Sequence, residues 1–340
     1  MTVVQALVLT GPGQAEVRAV PAPVAADGEV VIDVHRVGVC GTDVELFTGD
    51  MSYLQSGITS YPIRPGHEWA GEVTAVGLGV DPAWLGRKVT GDTMIGCGHC
   101  ERCALGRHHV CAERHELGIR GGMAGALAER LALPVRALHA LPDTMDATLG
   151  AMVEPGGNAL RCVEAARTGP GDRILVLGTG TIGLLVALFA RARGAEVHLV
   201  GRQNNDLELA RALGFANAWT REVLPARAWH AVVDATNAPT MPALALDLVE
   251  PGGRIVYIGL AGAPSTIDTR ELAFRDVTAV GILGGSAGLD GAIAAYADGS
   301  VDPRQLVAAT VALTGAADVL RGNRPPGAGP GPKIHIDPRT

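Results

Sequence analysis

The sequence predicts an α/β chain in which a doubly wound parallel sheet is joined to a second, β-rich domain, and three observations carry that expectation. Residues 173–202 read RILVLGTGTIGLLVALFARARGAEVHLVGR, with an apolar run at 174–177, Gly178, Gly180 and Gly183 at G-x-G-x-x-G spacing, a helical pattern over 182–192 and a second apolar run at 197–200. From residue 158 onward helical and strand signals alternate, the pattern of a sheet with helices on both faces. Before residue 155, short Val-rich runs are separated by Gly, Pro and Asp, and helical periodicity is sparse.

The glycine turn has a local physical reason. The first glycine allows a tight turn, the second lets backbone approach a pyrophosphate, and the third lets helix and strand pack closely. Phosphates would then lie over the helix start at Thr181 and Ile182, where free N–H groups and the helix dipole favour negative charge. The flanking strand, helix and strand give the spacing a specificity that three glycines lack in a chain with 46 of them.

In chain order, the β-rich part predicts strands at 5–9, 30–37 and 71–76. The alternating part predicts helix 158–167, strand 173–177, helix 182–192, strand 197–200, helix 206–213, strand 231–234, helix 241–249, and strands 254–259 and 277–282. A short helix and a strand at 333–337 return to the first domain, past a surface loop at 324–332 (RPPGAGPGP). The expected domains are therefore 1–155 and 156–298, with 299–340 rejoining the first.

Composition excludes some functions. With 47% hydrophobic and 19% charged residues a sizeable core is available, and a net charge of −7 offers no footprint for nucleic acid or anionic membrane. No apolar run reaches the roughly 18 residues of a membrane span. The start lacks a basic region and a cleavage-like site, so a cytoplasmic protein is expected.

Four of the six cysteines, Cys97, Cys100, Cys103 and Cys111, follow C-x2-C-x2-C-x7-C within a lobe at 92–115. In a reducing compartment such spacing gathers four thiolates around one closed, structural zinc; an iron–sulfur cluster is the rival reading. Cys162 falls in a helical pattern and reads as core. Elsewhere, VCGTD at 39–43 and GHE at 66–68 supply Cys40 and His67, a thiolate and an imidazole suited to a zinc that keeps an open position. Asp43 is placed to accept a hydrogen bond from the second ring nitrogen of His67. Taken singly, such a Cys is a small buried hydrophobe and such a His a satisfied core or surface residue.

G-V-C-G-T-D, G-H-E, the four-cysteine lobe, Glu154-Pro155 and G-x-G-x-x-G, in that order, resemble the zinc-dependent medium-chain alcohol dehydrogenases. The likeness spans nearly the whole chain and is nearest to the sugar and polyol branch, the glucose, sorbitol and threonine dehydrogenase relatives. It implies a GroES-like catalytic domain over 1–155, a Rossmann domain over 156–298 and a cleft between them. It also implies two zinc ions per chain, with Cys40 and His67 as catalytic ligands and either Glu68 or Glu154 as the remaining donor. Thr42 would hand on the substrate proton. Glu45 stands where simple alcohol dehydrogenases often carry a proton-relaying histidine; its plain alternative is a solvated acid.

Two departures bear on specificity. The end of the second nucleotide-domain strand, commonly acidic where ribose hydroxyls are bound, is Gly201 followed by Arg202, which predicts a preference for NADP, with NAD possible. A solvent-facing Arg202 with relaxed cofactor choice is the alternative. Asn158, after Gly156-Gly157, either reaches the nicotinamide or a substrate hydroxyl or caps the helix expected there. Glu45, Trp69, Arg120 and Asn158 suggest a polar pocket.

The implied substrate is a small polyhydroxylated alcohol or the matching ketone: a polyol, sugar or (amino)cyclitol. A simple secondary-alcohol or amino-alcohol dehydrogenase is the enzymatic alternative, and a zinc- and dinucleotide-binding sensor protein the non-enzymatic one. A zinc-free quinone or enoyl reductase is disfavoured by the ligands present. Strand 277–282 would pair across a subunit interface, giving a homodimer or homotetramer.

Overall fold

In the computed structural model, which describes residues 2–340, the alternating half of the chain folds into a six-stranded, wholly parallel sheet. Across the sheet its strands run Ala218–Thr220, Glu196–Gly201, Arg173–Leu177, Trp229–Asp234, Val249–Tyr257 and Thr278–Gly281. The first strand in sequence, Arg173–Leu177, lies third in the sheet. Successive strands leave it in both directions, so the crevice at its carboxyl end, where Gly178 turns, is the topological switch point at which such sheets bind ligands. Ile174, Leu175, Val176 and Leu177 are all buried, as expected of a strand covered on both faces.

The chain forms two compact units, Met1–Glu154 with Val307–Thr340, and Pro155–Leu306. The first is built on a seven-stranded sheet ordered Val307–Ala312, Lys333–Asp337, Glu29–Gly38, Glu68–Val76, Lys88–Gly91 and Leu138–Ala140, with Arg130–Pro134 also paired to Glu29–Gly38. The C-terminal strand Lys333–Asp337 enters this sheet antiparallel to Glu29–Gly38, placing His335 opposite Gly38. A hairpin, Val3–Gly11 with Gln14–Pro21, packs Leu7 and Leu9 into the core of the same unit beside Ile32, Trp69 and Leu131.

Several elements depart from the sequence pattern, for identifiable reasons. The helix expected from 158 begins earlier, at Val153–Ala166. Pro155 sits in its first turn, where a missing N–H is harmless, so the dipeptide that reads as a boundary is helical. Asn158 consequently lies inside the helix and does not cap it. The helix expected over 206–213 opens as a 3-10 turn, Asn204–Leu207, before Glu208–Ala212. Strand Val249–Tyr257 starts upstream of 254, passing through a Pro-Gly-Gly that resembles a turn. Strand Ala218–Thr220 is three residues long, too short for periodicity to register.

Trp69 is not a pocket residue. It is fully buried, and a Cβ added to Gly91 would come within 2.7 Å of its ring, so the indole occupies space that only glycine leaves free. Replacing it by Ala opens a large cavity in the first unit's core. Trp69→Ala is expected to cost about 3–5 kcal/mol in urea unfolding, whereas a loss below about 1 kcal/mol would contradict this placement.

Candidate metal centre and nucleotide turn

The helix Gly41–Thr48 starts where its sequence supplies a cap. Cys40 is the N-cap, and Asp43 at the third helical position reaches back to accept the Cys40 backbone N–H at 2.9 Å. The other carboxylate oxygen of Asp43 accepts the Gly66 N–H at 3.0 Å and lies 3.5 Å from Nδ1 of His67. One fully buried carboxylate therefore ties together the two segments that carry Cys40 and His67. Burial works against its charge, but His67 and the two backbone N–H groups more than offset that, and its pKa lies below the usual carboxylate value.

The sulfur of Cys40, a ring nitrogen of His67 and a carboxylate oxygen of Glu68 lie within 4.8 Å of one another. A thiolate, an imidazole and a carboxylate at that separation form a donor set suited to zinc, with room for a fourth ligand. Nδ1 of His67 faces Asp43 with no closer partner, a contact that a slight tightening would complete, and this leaves Nε2 as the nitrogen free to bind an ion. Burial lowers the His67 pKa, yet Asp43 and Cys40 together raise it well above the ordinary value. The donor set, with Nδ1 turned to Asp43, fits a metal.

Glu68 carries a partner that local sequence patterns do not reveal. Nζ of Lys333 lies 2.8 and 2.6 Å from its two carboxylate oxygens, both contacts buried, and 2.9 Å from the partly buried Val39 carbonyl. Burial disfavours the ammonium, but Glu68, with Cys40 and Asp43 beyond it, raises the Lys333 pKa above the usual value. Gly38, which pairs with Glu68, makes the arrangement possible, since a Cβ there would fall 2.3 Å from Oε2 of Glu68. The available signal was compositional: Lys333 is one of two lysines in the chain and stands in an apolar strand.

The remaining predicted residues divide around this group. Thr42 is half-buried in the first turn of the same helix. Glu45, farther along it, is exposed, and its pKa is raised by partial burial and by Asp50. Glu154 is buried in the first turn of Val153–Ala166 and stands outside the three-donor group. Arg120 is engaged with the first unit's own residues, 3.9 Å from Glu116 and over the ring of Tyr53.

Cys97, Cys100, Cys103 and Cys111 form a second group within the same 4.8 Å limit. The Cys97 and Gly98 N–H groups point at the sulfurs of Cys111 and Cys103, at 3.5 and 3.4 Å. The Cys97 amide helps draw the Cys111 thiol down to about 6, while, against the Gly98 amide, burial and the neighbouring sulfurs push Cys103 up to about 11, so the lobe favours negative charge on Cys111 first. Four converging sulfurs leave no open position, which suits a structural zinc.

The glycine turn of the second unit has the geometry its spacing demands. Gly178 adopts φ 103°, and a Cβ on Gly183 would collide with the Gly178 carbonyl at 2.0 Å. A Cβ on Gly180 would meet nothing within 4 Å, so the backbone here faces open space. Helix Thr181–Ala192 begins at Gly180 without a side-chain cap, leaving its first N–H groups available to an anion. At the end of Glu196–Gly201, a side chain on Gly201 would press on Leu207 at 2.8 Å. Packing alone therefore gives a reason for glycine there. The Arg202 side chain is 91% exposed, and its Nε lies 3.3 Å from Asp206.

Comparison with known proteins agrees with this architecture. Residues 26–143 match the family model "Alcohol dehydrogenase GroES-like domain", and residues 181–298 match "Zinc-binding dehydrogenase". An L-threonine 3-dehydrogenase of Edwardsiella ictaluri is 33% identical over 277 residues, covering 78% of this chain and 80% of that protein. Alcohol dehydrogenase TADH from Thermus sp. ATN1 is 26% identical with a TM-score of 0.87, covering 98% of this chain and 99% of that one. A Sinorhizobium meliloti 1021 protein solved with NADP bound is 26% identical with a TM-score of 0.89, covering 99% and 100%.

Removing Lys333 would leave the Glu68 carboxylate buried and uncompensated. Lys333→Met is expected to lower stability by about 3–5 kcal/mol in urea unfolding, and Lys333→Met combined with Glu68→Leu to recover most of it. Equal stability of Lys333→Met and the parent would show that the pair is not energetically coupled.

Proposed function

Since the chain belongs to the zinc-dependent medium-chain alcohol dehydrogenase family, we propose that it interconverts a secondary alcohol and its ketone on a small, polar substrate, with NADP preferred. The observation that carries this is the convergence of Cys40, His67 and Glu68 on one point, separate from the four-cysteine lobe. Cys40, His67 and Glu68 would hold a catalytic zinc, with Glu154 as the alternative carboxylate, and the four cysteines a structural one, two ions per chain. The chemistry such a metal and a nicotinamide supply is Lewis-acid polarisation of the alcohol or carbonyl oxygen and acceptance or return of a hydride.

The chain's own residues would do the rest. Asp43 fixes the segments bearing Cys40 and His67, and Lys333 restrains Glu68 so that its negative charge is shared with an ammonium. Thr42, in the first turn beside Cys40, offers the hydroxyl that moves the substrate proton outward; Glu45, exposed and with a raised pKa, is the next group able to take it. Gly178, Gly180 and Gly183, with the N–H groups of Thr181 and Ile182, would cradle the cofactor pyrophosphate. Gly201 and Arg202 would stand by the adenosine ribose, with Arg202 meeting a 2′-phosphate. Asn158, within its helix, would approach the nicotinamide side of the cofactor.

For the substrate, a polyol, sugar or (amino)cyclitol is the first reading, supported by the resemblance to the sugar and polyol branch. An amino-alcohol is the second, and the relatives named L-threonine 3-dehydrogenase favour it. We place the protein in the cytoplasm; among the described residues no helix is long and apolar enough to cross a membrane. A homodimer or homotetramer formed through the exposed edge strand Thr278–Gly281 completes the proposal.

Steady-state oxidation of a panel of polyols, inositols, aminocyclitols and β-hydroxy-α-amino acids tests these assignments. At least one class should be turned over, with kcat/KM higher for NADP than for NAD. Arg202→Ala should lower the NADP value by about tenfold while leaving the NAD value nearly unchanged. A clear NAD preference in the parent would refute the cofactor assignment. A monomeric mass in solution would refute the subunit pairing.

A further inference from the structure

The first unit carries a half-open cavity of about 460 Å³ whose lining includes none of the metal-centre residues. Its walls mix apolar side chains, among them Val8 and Met123, with Arg64, Arg18, Thr59 and Ser60. Arg64 is held there by its neighbours. Ile63 bridges to Leu9 through a pair of backbone hydrogen bonds and packs into the core, and the Gly125 N–H binds the Arg64 carbonyl at 2.8 Å. With Ile63 turned into the core, Arg64 is among the residues that line the cavity.

The charge balance is unusual for a half-buried arginine. Nε of Arg64 is buried with no hydrogen-bond partner, and among the described residues no carboxylate lies within ion-pair distance of its guanidinium. Desolvation pulls its pKa down to about 10, so the group stays charged at neutral pH. Arg18, the other cation on the lining, is already matched by Glu16 at 3.1 Å. The lining therefore carries one uncompensated positive charge beside apolar walls, with two hydroxyls nearby. A buried charge lacking a counterion is costly unless something supplies one. A guanidinium fork takes a planar carboxylate through two parallel hydrogen bonds, and one net positive charge suits a monoanion better than a phosphate dianion.

We propose that this cavity is a binding site for a small monocarboxylate with a short apolar body, its carboxylate on Arg64 and its body against Val8 and Met123. The site is distinct from the metal centre and does not depend on the dehydrogenase reading.

Isothermal titration of the zinc-loaded full chain with isobutyrate tests the proposal, with isobutyramide as the neutral isostere and inorganic phosphate as the dianion. Isobutyrate should bind saturably at one site per chain, and the amide and phosphate each about tenfold more weakly or less. Arg64→Met should abolish that binding. Ala124→Trp fills the cavity from an exposed lining position and should abolish it too while keeping the parent's thermal midpoint, which guards against misfolding of the arginine variant. Absence of saturable isobutyrate binding, equal affinity for the amide, tighter binding of phosphate, or binding that survives in both variants would each overturn the proposal, the last by placing the carboxylate on the metal.

Discussion

The buried ion pair between Lys333 and Glu68 is the interaction on which the candidate metal centre depends. It joins residues 265 positions apart in sequence across three adjacent strands, and it places a compensated carboxylate beside a thiol and an imidazole. An unpaired Glu68 would be expensive to bury, and a mobile one would not present an oxygen at a fixed point. Gly38 contributes by having no side chain, which opens the space Glu68 fills. Asp43 does the complementary work on the other side, gathering the backbone N–H groups of Cys40 and Gly66 on one carboxylate. The donors are thus positioned by two buried carboxylates, one satisfied by an ammonium and the other by His67 together with two backbone donors.

Two clusters of soft ligands in one unit differ in what they leave open. The cysteine lobe brings four sulfurs together on a short loop whose backbone N–H groups point inward, a closed arrangement suited to a structural ion. The group at Cys40, His67 and Glu68 has three donors and hence room for a ligand that is not protein. The nucleotide turn of the other unit follows the same economy of side chains. Gly178 provides a backbone angle, Gly183 a close approach and Gly180 an open face, three demands met by three residues within one turn.

Much of this was legible in the sequence because it is local. The G-x-G-x-x-G turn and the four-cysteine spacing each lie within a few residues, and the parallel sheet announced itself as buried apolar runs alternating with helices. What escaped is non-local or hidden by a local rule. Lys333 acquires its meaning only when the last strand meets Glu29–Gly38. Trp69 beside a conspicuous His-Glu pair suggests a pocket, yet strand alternation and Gly91 turn it into core. Pro155 reads as a helix boundary although the first turn tolerates it, and that shift moved Asn158 from a cap to a helix interior. Gly201 was legible as a missing acid but not as a packing contact with Leu207, which supplies an independent reason for glycine at that position.

The central claim is that Cys40, His67 and Glu68 form a metal centre of their own, separate from the cysteine lobe. Zinc content per chain, measured by plasma emission spectrometry on the parent and on Cys40→Ser, tests it most directly. Two ions are expected in the parent and one in the variant. One ion in both proteins would contradict it.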